Sequence, residues 1–270
     1  QYIPKNASGW VNGFGELKGI NSIKPKRLIA LTPYTVGKAQ SFEAEEGNPF
    51  VTGTDSRITA GLDGRIGITS DLTLDFTVNP DFGQVEADPG ALNLNGFQIF
   101  FNERRPFFIE NRNIFNYAIT EAETGGSFNS DLLFYSRRIG GAPHRNIYSD
   151  PNENYYVDQP DNTTILGAAK FSGKTESGLS IGILESITQR EMASIDILGE
   201  RTQEVVEPLT NFFVGRVQQD FRGGNTVVGG IFTAVNRDLK NNPDLAFLHE
   251  SAYSGGLDVV HRWKDNQWVF

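Results

Sequence analysis

The sequence predicts an all-β chain, laid out as an antiparallel meander, on three observations. Long segments alternate between apolar and polar residues, the period of a strand with one apolar face. These segments run to about 9–13 residues, beyond the usual ~5–6 of soluble sheets and near the ~9–11 that cross a bilayer at a tilt. Tight turns alternate with long polar loops, as in outer-membrane barrels, where short turns sit at one end and longer loops at the other. The expected architecture is therefore an outer-membrane β-barrel, whole or in part, with a charged irregular segment inserted in it. A soluble antiparallel sandwich also alternates and is the competing architecture.

Composition narrows the partners. Across 270 residues the net charge is −9 and the pI about 4.9, with no Lys/Arg-rich block, which argues against nucleic acid. Cys is absent, which excludes disulfides, thiolate zinc sites and thiol catalysis. No stretch reaches the roughly 18 apolar residues of a transmembrane helix. A mean hydropathy of −0.34 fits a barrel, which is apolar on one face only. No signal peptide stands at Gln1, so export implies a longer precursor.

Residues 1–25 lack a period and carry Gly, Asn and Pro throughout, and read as a linker or the tail of an upstream module. Residues 26–270 read as the barrel-like domain. A first strand is expected at about 27–36, followed by a polar loop, GKAQSFEAEEGNPFVTGTD. Next comes the cleanest hairpin. Ile58, Ala60, Leu62, Ile66 and Ile68 share one face against Arg57, Thr59, Asp63 and Arg65. After a turn at Thr69 and Ser70, Leu72, Leu74, Phe76 and Val78 oppose Asp71, Thr73, Asp75 and Thr77.

The period is then lost over residues 79–130, which read as an irregular plug-like or loop insertion. LLFYSRRIG and a long polar loop rich in Pro and Asn (141–162) follow. The meander resumes with TILGAAKFS, GKTE and GLSIGILESITQ; a second loop ends near Pro208. LTNFFVGRVQQDF turns through RGGN into TVVGGIFTAVNRD. ESAYSGGLDVVHRW follows, where Tyr253, Leu257, Val259 and Trp263 oppose Glu250, Ser254, Asp258 and Arg262, and a turn at KDNQ leads into another apparent strand that reaches Phe270.

Few residues point to chemistry. Asp81, Glu86 and Asp88 in NPDFGQVEADP could supply oxygens to Ca²⁺, but they lack the D-x-D-x-D-G spacing and also read as turn-forming, solvated carboxylates. No other cofactor is implied. Glu103, Arg104, Arg105 and Glu110 in NERRPFFIEN form the densest mixed-charge group, which Arg137 and Arg138 of YSRRIG could join. They read either as a charged constriction or plug in a barrel lumen, where Arg rings select anions, or as an ion-paired network that props a loop. The three His residues form no HExxH motif, and no G-x-S-x-G elbow is present. No enzyme is expected.

The run DLTLDFTVNPDFGQVEADP, with FQIFFNERRPFFIE and the Ile114–Phe115 pair, resembles the family called domain of unknown function 5916. LFYSRRIG, ILGAAKFSGKTESGLSIGILES and GGIFTAVNRD fit the same order. The resemblance implies a bacterial surface protein in which a module similar to carbohydrate-binding family 9 precedes an outer-membrane β-barrel. The opening YIPKNASGW resembles the exit from that module. The module itself is missing here, so none of its ligand residues is carried over. Family members run longer, so Phe270 reads as a truncation point.

The expected role is non-enzymatic: a barrel segment in the bacterial outer membrane acting as pore, anchor or surface-complex component. Its expected partners are membrane lipid, polysaccharide or oligosaccharide, and other surface proteins. The alternative is a soluble secreted β-sandwich that binds or processes carbohydrate.

Overall fold

Alternation decides which residues share a face, and pairing then sets the register. The computed structural model describes residues 28–80, 101–119, 132–263 and 268–269. The 1–25 segment and Phe270 lie outside them.

Strands β1 (Ile29–Ser41), β2 (Thr54–Gly67) and β3 (Leu72–Val78) open the chain. After a long excursion come β4 (Tyr155–Asp158), β5 (Ile165–Lys174) and β6 (Leu179–Thr188). A hairpin of β7 (Glu191–Ile197) and β8 (Glu200–Glu207) leads to β9 (Thr210–Phe221), β10 (Thr226–Arg237), β11 (Ser251–Trp263) and β12 (Trp268–Val269). Nine strands form one antiparallel sheet in the order β1-β2-β3-β5-β6-β9-β10-β11-β12, and β4-β7-β8 form a second.

The strands are those expected, with three differences. β1 runs on through Gly37, Lys38 and Ala39 to Ser41, because each residue there has a partner on β2, so the first loop is shorter than its composition suggests. The second loop, ending at Pro208, contains the β7–β8 hairpin, and the polar loop at 141–162 contains β4.

Four-residue connections join β2 to β3 (68–71), β5 to β6 (175–178) and β9 to β10 (222–225), all at one end of the sheet. The long connections at 42–53, 79–164, 189–209 and 238–250 join strand ends at the other end of the sheet.

The two faces differ sharply. Leu72, Gly173, Ile181, Val217, Gly230 and Leu257 stand side by side across six strands, an apolar row with glycine the only interruption. A row on the reverse face reads Asp75, Lys170, Leu184, Val214, Thr233 and Ser254. The apolar face is the open one: Leu257 is 87% exposed and Val217 50%. The mixed face is the covered one: Asp75 is 4% exposed, Arg216 2% and Lys170 1%.

That mixed face is concave. Residues of seven strands, from β2 through to β11, line a single cavity of ≈ 630 Å³ at the short-turn end. Strands six places apart in the sheet order, β2 and β11, thus border the same cavity. The sheet therefore curls around its polar side.

Candidate functional site

The covering element is the insert between β3 and β5. Pro106, whose fixed φ suits a first helical position, starts the four-residue helix α1 (Pro106–Ile109). A 3₁₀ turn over Arg112–Phe115 follows. Phe108, Ile114 and Phe115 enter a buried cluster with Ile139 and with Ile165, Ala168, Leu184, Val214 and Ile231 of the sheet. An apolar patch at the centre of the mixed face thus receives the apolar side of the insert.

Charged groups fasten the margins. Arg65 on β2 contacts Asp75 of β3 at 2.6 Å and Glu110 of the insert at 3.2 Å. Lys170 on β5 donates from Nζ to the carbonyls of Phe107 and Glu110, at the end of α1, and lies 4.9 Å from the centre of the Phe107 ring. A cation there complements the C-terminal end of the helix and supplies donors to its free carbonyls. Arg216 on β9 forms a bidentate pair with Asp258 of β11, and its guanidinium lies 5.1 Å from the centre of the Tyr117 ring. Tyr117 donates to the Leu257 carbonyl at 3.1 Å.

Two glycines make the close approach possible. A Cβ on Gly182 would come within 2.8 Å of Ile114 and 2.9 Å of Phe115; one on Gly256 would lie 2.3 Å from the Tyr117 hydroxyl.

Within the mixed-charge group read from the sequence, Glu103 and Arg105 pair with each other. Arg105 donates to both oxygens of Glu103, at 2.8 and 2.7 Å, and to the carbonyls of Ile139 (2.7 Å) and Ser136 (2.8 Å). Its guanidinium also stacks 4.1 Å from the centre of the Phe108 ring. Glu103 further accepts from the Ser136 hydroxyl and from the backbone N–H groups of Arg104 and Arg105. Burial pushes the Glu103 carboxyl up, but Arg105 and these hydrogen bonds outweigh it and hold the group below the usual carboxylate range. Arg137 donates to the Asn102 carbonyl at 3.0 Å, Arg104 is half-buried and Arg138 is exposed. Glu110 stands apart, with Arg65.

The cavity lies beside Glu110. Its wall carries Arg65, Asp71, Lys174, Asp220 and Arg262 from the sheet, and the insert supplies Glu110, Asn111 and Asn113. Lys174 pairs with Asp220 and Arg65 with Glu110, while Asp71 and Arg262 have no ion-pair partner among the described residues. Arg65, Lys170, Arg216, Asp71 and Arg262 are not among the site residues read from the sequence, although Arg65, Asp71 and Arg262 stand on its polar strand faces. The signal that could have found the first three is a charge on the inward side of a strand, as with Lys170 in ILGAAKFS.

Asp81, Glu86 and Asp88 lie outside the described residues. Among the described residues no three His, Asp or Glu side chains converge as a metal site.

Fold and site together define an antiparallel all-β protein whose curled sheet holds a charge-latched insert against its mixed face. Residues 24–244 match the family described as Domain of unknown function (DUF5916), and the chain belongs to it. No curated protein and no solved structure matches the chain.

Proposed function

We propose that this chain forms part of an outer-membrane β-barrel whose interior is filled by the insert, serving as an anchor or plugged pore at the cell surface. One observation carries the reading: the apolar face of the nine-stranded sheet is open and the charged face is covered. In water an amphipathic sheet does the reverse, burying its apolar face against a core. A transmembrane barrel has the observed polarity, with lipid outside and polar groups within.

Three further features support it. β9, β10 and β11 run 12, 12 and 13 residues, enough to cross a bilayer at a tilt. Exposed aromatics on the apolar face include Phe221, Trp263 and, on β12, Trp268 at the short-turn end and Tyr253 near the other end, with Phe232 at mid-strand. Interfacial belts of this kind flank membrane barrels. The donors of Arg105 are directed at Glu103, Ser136 and Ile139, which favours a plug over an anion-selecting ring at that residue.

Fractionation of the full-length protein, with a heat-modifiability gel in mild detergent, tests the reading. Recovery in the outer-membrane fraction with a heat-dependent shift is expected; a soluble monomer with no shift would sink it and revive the carbohydrate-binding sandwich. Leu257→Arg separates the two cases again. Leu257 is mid-strand and exposed, so the substitution should cost about 2–4 kcal/mol in a bilayer and under ~0.5 kcal/mol in water. Refolding equilibria in lipid vesicles and in buffer measure the difference.

A further inference from the structure

We infer that the cavity at the short-turn end is a binding site for a small zwitterion carrying an ammonium and a carboxylate, such as an amino acid or a short peptide. The volume of ≈ 630 Å³ falls within the ~300–1,000 Å³ of ordinary small-molecule sites. Among the described residues three cationic side chains (Arg65, Lys174, Arg262) and three carboxylates (Asp71, Glu110, Asp220) line it, and their charges sum to zero. A net cation or net anion therefore gains little from the site as a whole.

Four of those charges are already matched, Arg65 with Glu110 and Lys174 with Asp220. Asp71 and Arg262 are left over, one of each sign. They come from the β2–β3 turn and from β11, with five strands between them in the sheet, and they do not pair with each other. Two unmatched charges of opposite sign on one concave wall complement a ligand that brings its own separated pair: ammonium to Asp71, carboxylate to the planar guanidinium of Arg262.

Between them the wall offers amides and hydroxyls, Asn111, Asn113, Gln218, Thr73 and Ser180, suited to a peptide backbone. Among the described residues no aromatic ring lines the cavity, so they offer no flat platform on which a sugar ring or nucleobase stacks. Because Asn111 and Asn113 belong to the insert, a bound zwitterion touches insert and sheet together and holds one to the other. The inference stands whatever surface the apolar face meets.

The test is saturable binding to the full chain in a mild non-ionic detergent, followed by saturation-transfer NMR and calorimetry. The probes are glycylglycine, its N-acetyl and C-amide derivatives, and maltose. Glycylglycine is expected to bind, and each blocked form at least tenfold more weakly. Asp71→Asn should abolish the preference over the N-acetyl form, and Arg262→Gln the preference over the amide. Should either single variant fail to fold, the reversed pair Asp71→Arg with Arg262→Asp keeps the question open to measurement, since the dipeptide can turn round and bind again. No saturable dipeptide binding, maltose binding as tight as the dipeptide's, or undiminished dipeptide binding by the neutral double variant Asp71→Asn with Arg262→Gln overturns the inference.

Discussion

Arg105 and Arg262 are the same side chain put to opposite uses. Arg105 spends its donors on Glu103, Ser136 and Ile139 and lies against Phe108, so a charge taken out of water is fully matched. Among the described residues the Arg262 guanidinium makes one long hydrogen bond, 3.4 Å to the Gly224 carbonyl, and it lines an open cavity. The contrast shows how charge density along a sequence can mislead about function. Glu103, Arg104 and Arg105 are adjacent because neighbours satisfy one another cheaply, whereas Asp71 and Arg262 are 191 residues apart and meet only through the curl of the sheet.

The largest expected effect would break this contrast most directly. Arg105→Ala leaves Glu103 buried without its cation and should cost about 3–5 kcal/mol in a denaturation midpoint. A loss under ~1 kcal/mol would mean that the network is not closed. Next, Gly182→Val drives a side chain into Ile114 and Phe115 and should cost about 1–3 kcal/mol. Limited proteolysis should then cut residues 101–119 faster while strand content by circular dichroism is kept.

Acid separates the two regions further. Because the folded protein holds Glu103 below its unfolded value of 4.5, the stability this gives is present above that pH. It is lost as pH falls through the lowered folded value, so Glu103→Gln should show a shallower acid loss than the parent below about pH 4.5. The smallest effect belongs to the open region: Asp71→Asn, half-exposed, should shift stability by no more than ~0.5 kcal/mol, measured by the same denaturation.

The regular part of the fold was legible because period-two alternation is a local signal. β2, β3, β6 and β11 can be read directly from Ile58–Ile66, Leu72–Val78, Leu179–Ile187 and Tyr253–Trp263. The β7–β8 hairpin was not, and its turn explains why. Leu198 and Gly199 both take positive φ, 53° and 91°, as the favoured two-residue hairpin turn requires, but a leucine stands where Asn or Gly would announce it. β4 was hidden for another reason, since its four residues gain strand geometry only by pairing with β7. In the site, Glu103 and Arg105 were visible because they are neighbours, while the cavity depends on residues brought together from seven strands.

The placement of the insert has a kinetic consequence. Within the nine-stranded sheet, β3 pairs with β5 from Leu72–Gly173 to Val78–Gly167, partners 101 to 89 residues apart, while β1 and β2 or β9 and β10 are hairpin neighbours. Closing so long an interval costs more chain entropy and slows pairing. Pairing of β3 with β5, the ladder in which Asp75 stands opposite Lys170, is therefore expected to follow the local hairpins. Residues 101–119 lie within that interval, so their docking and the pairing of β3 with β5 are expected to be coupled steps.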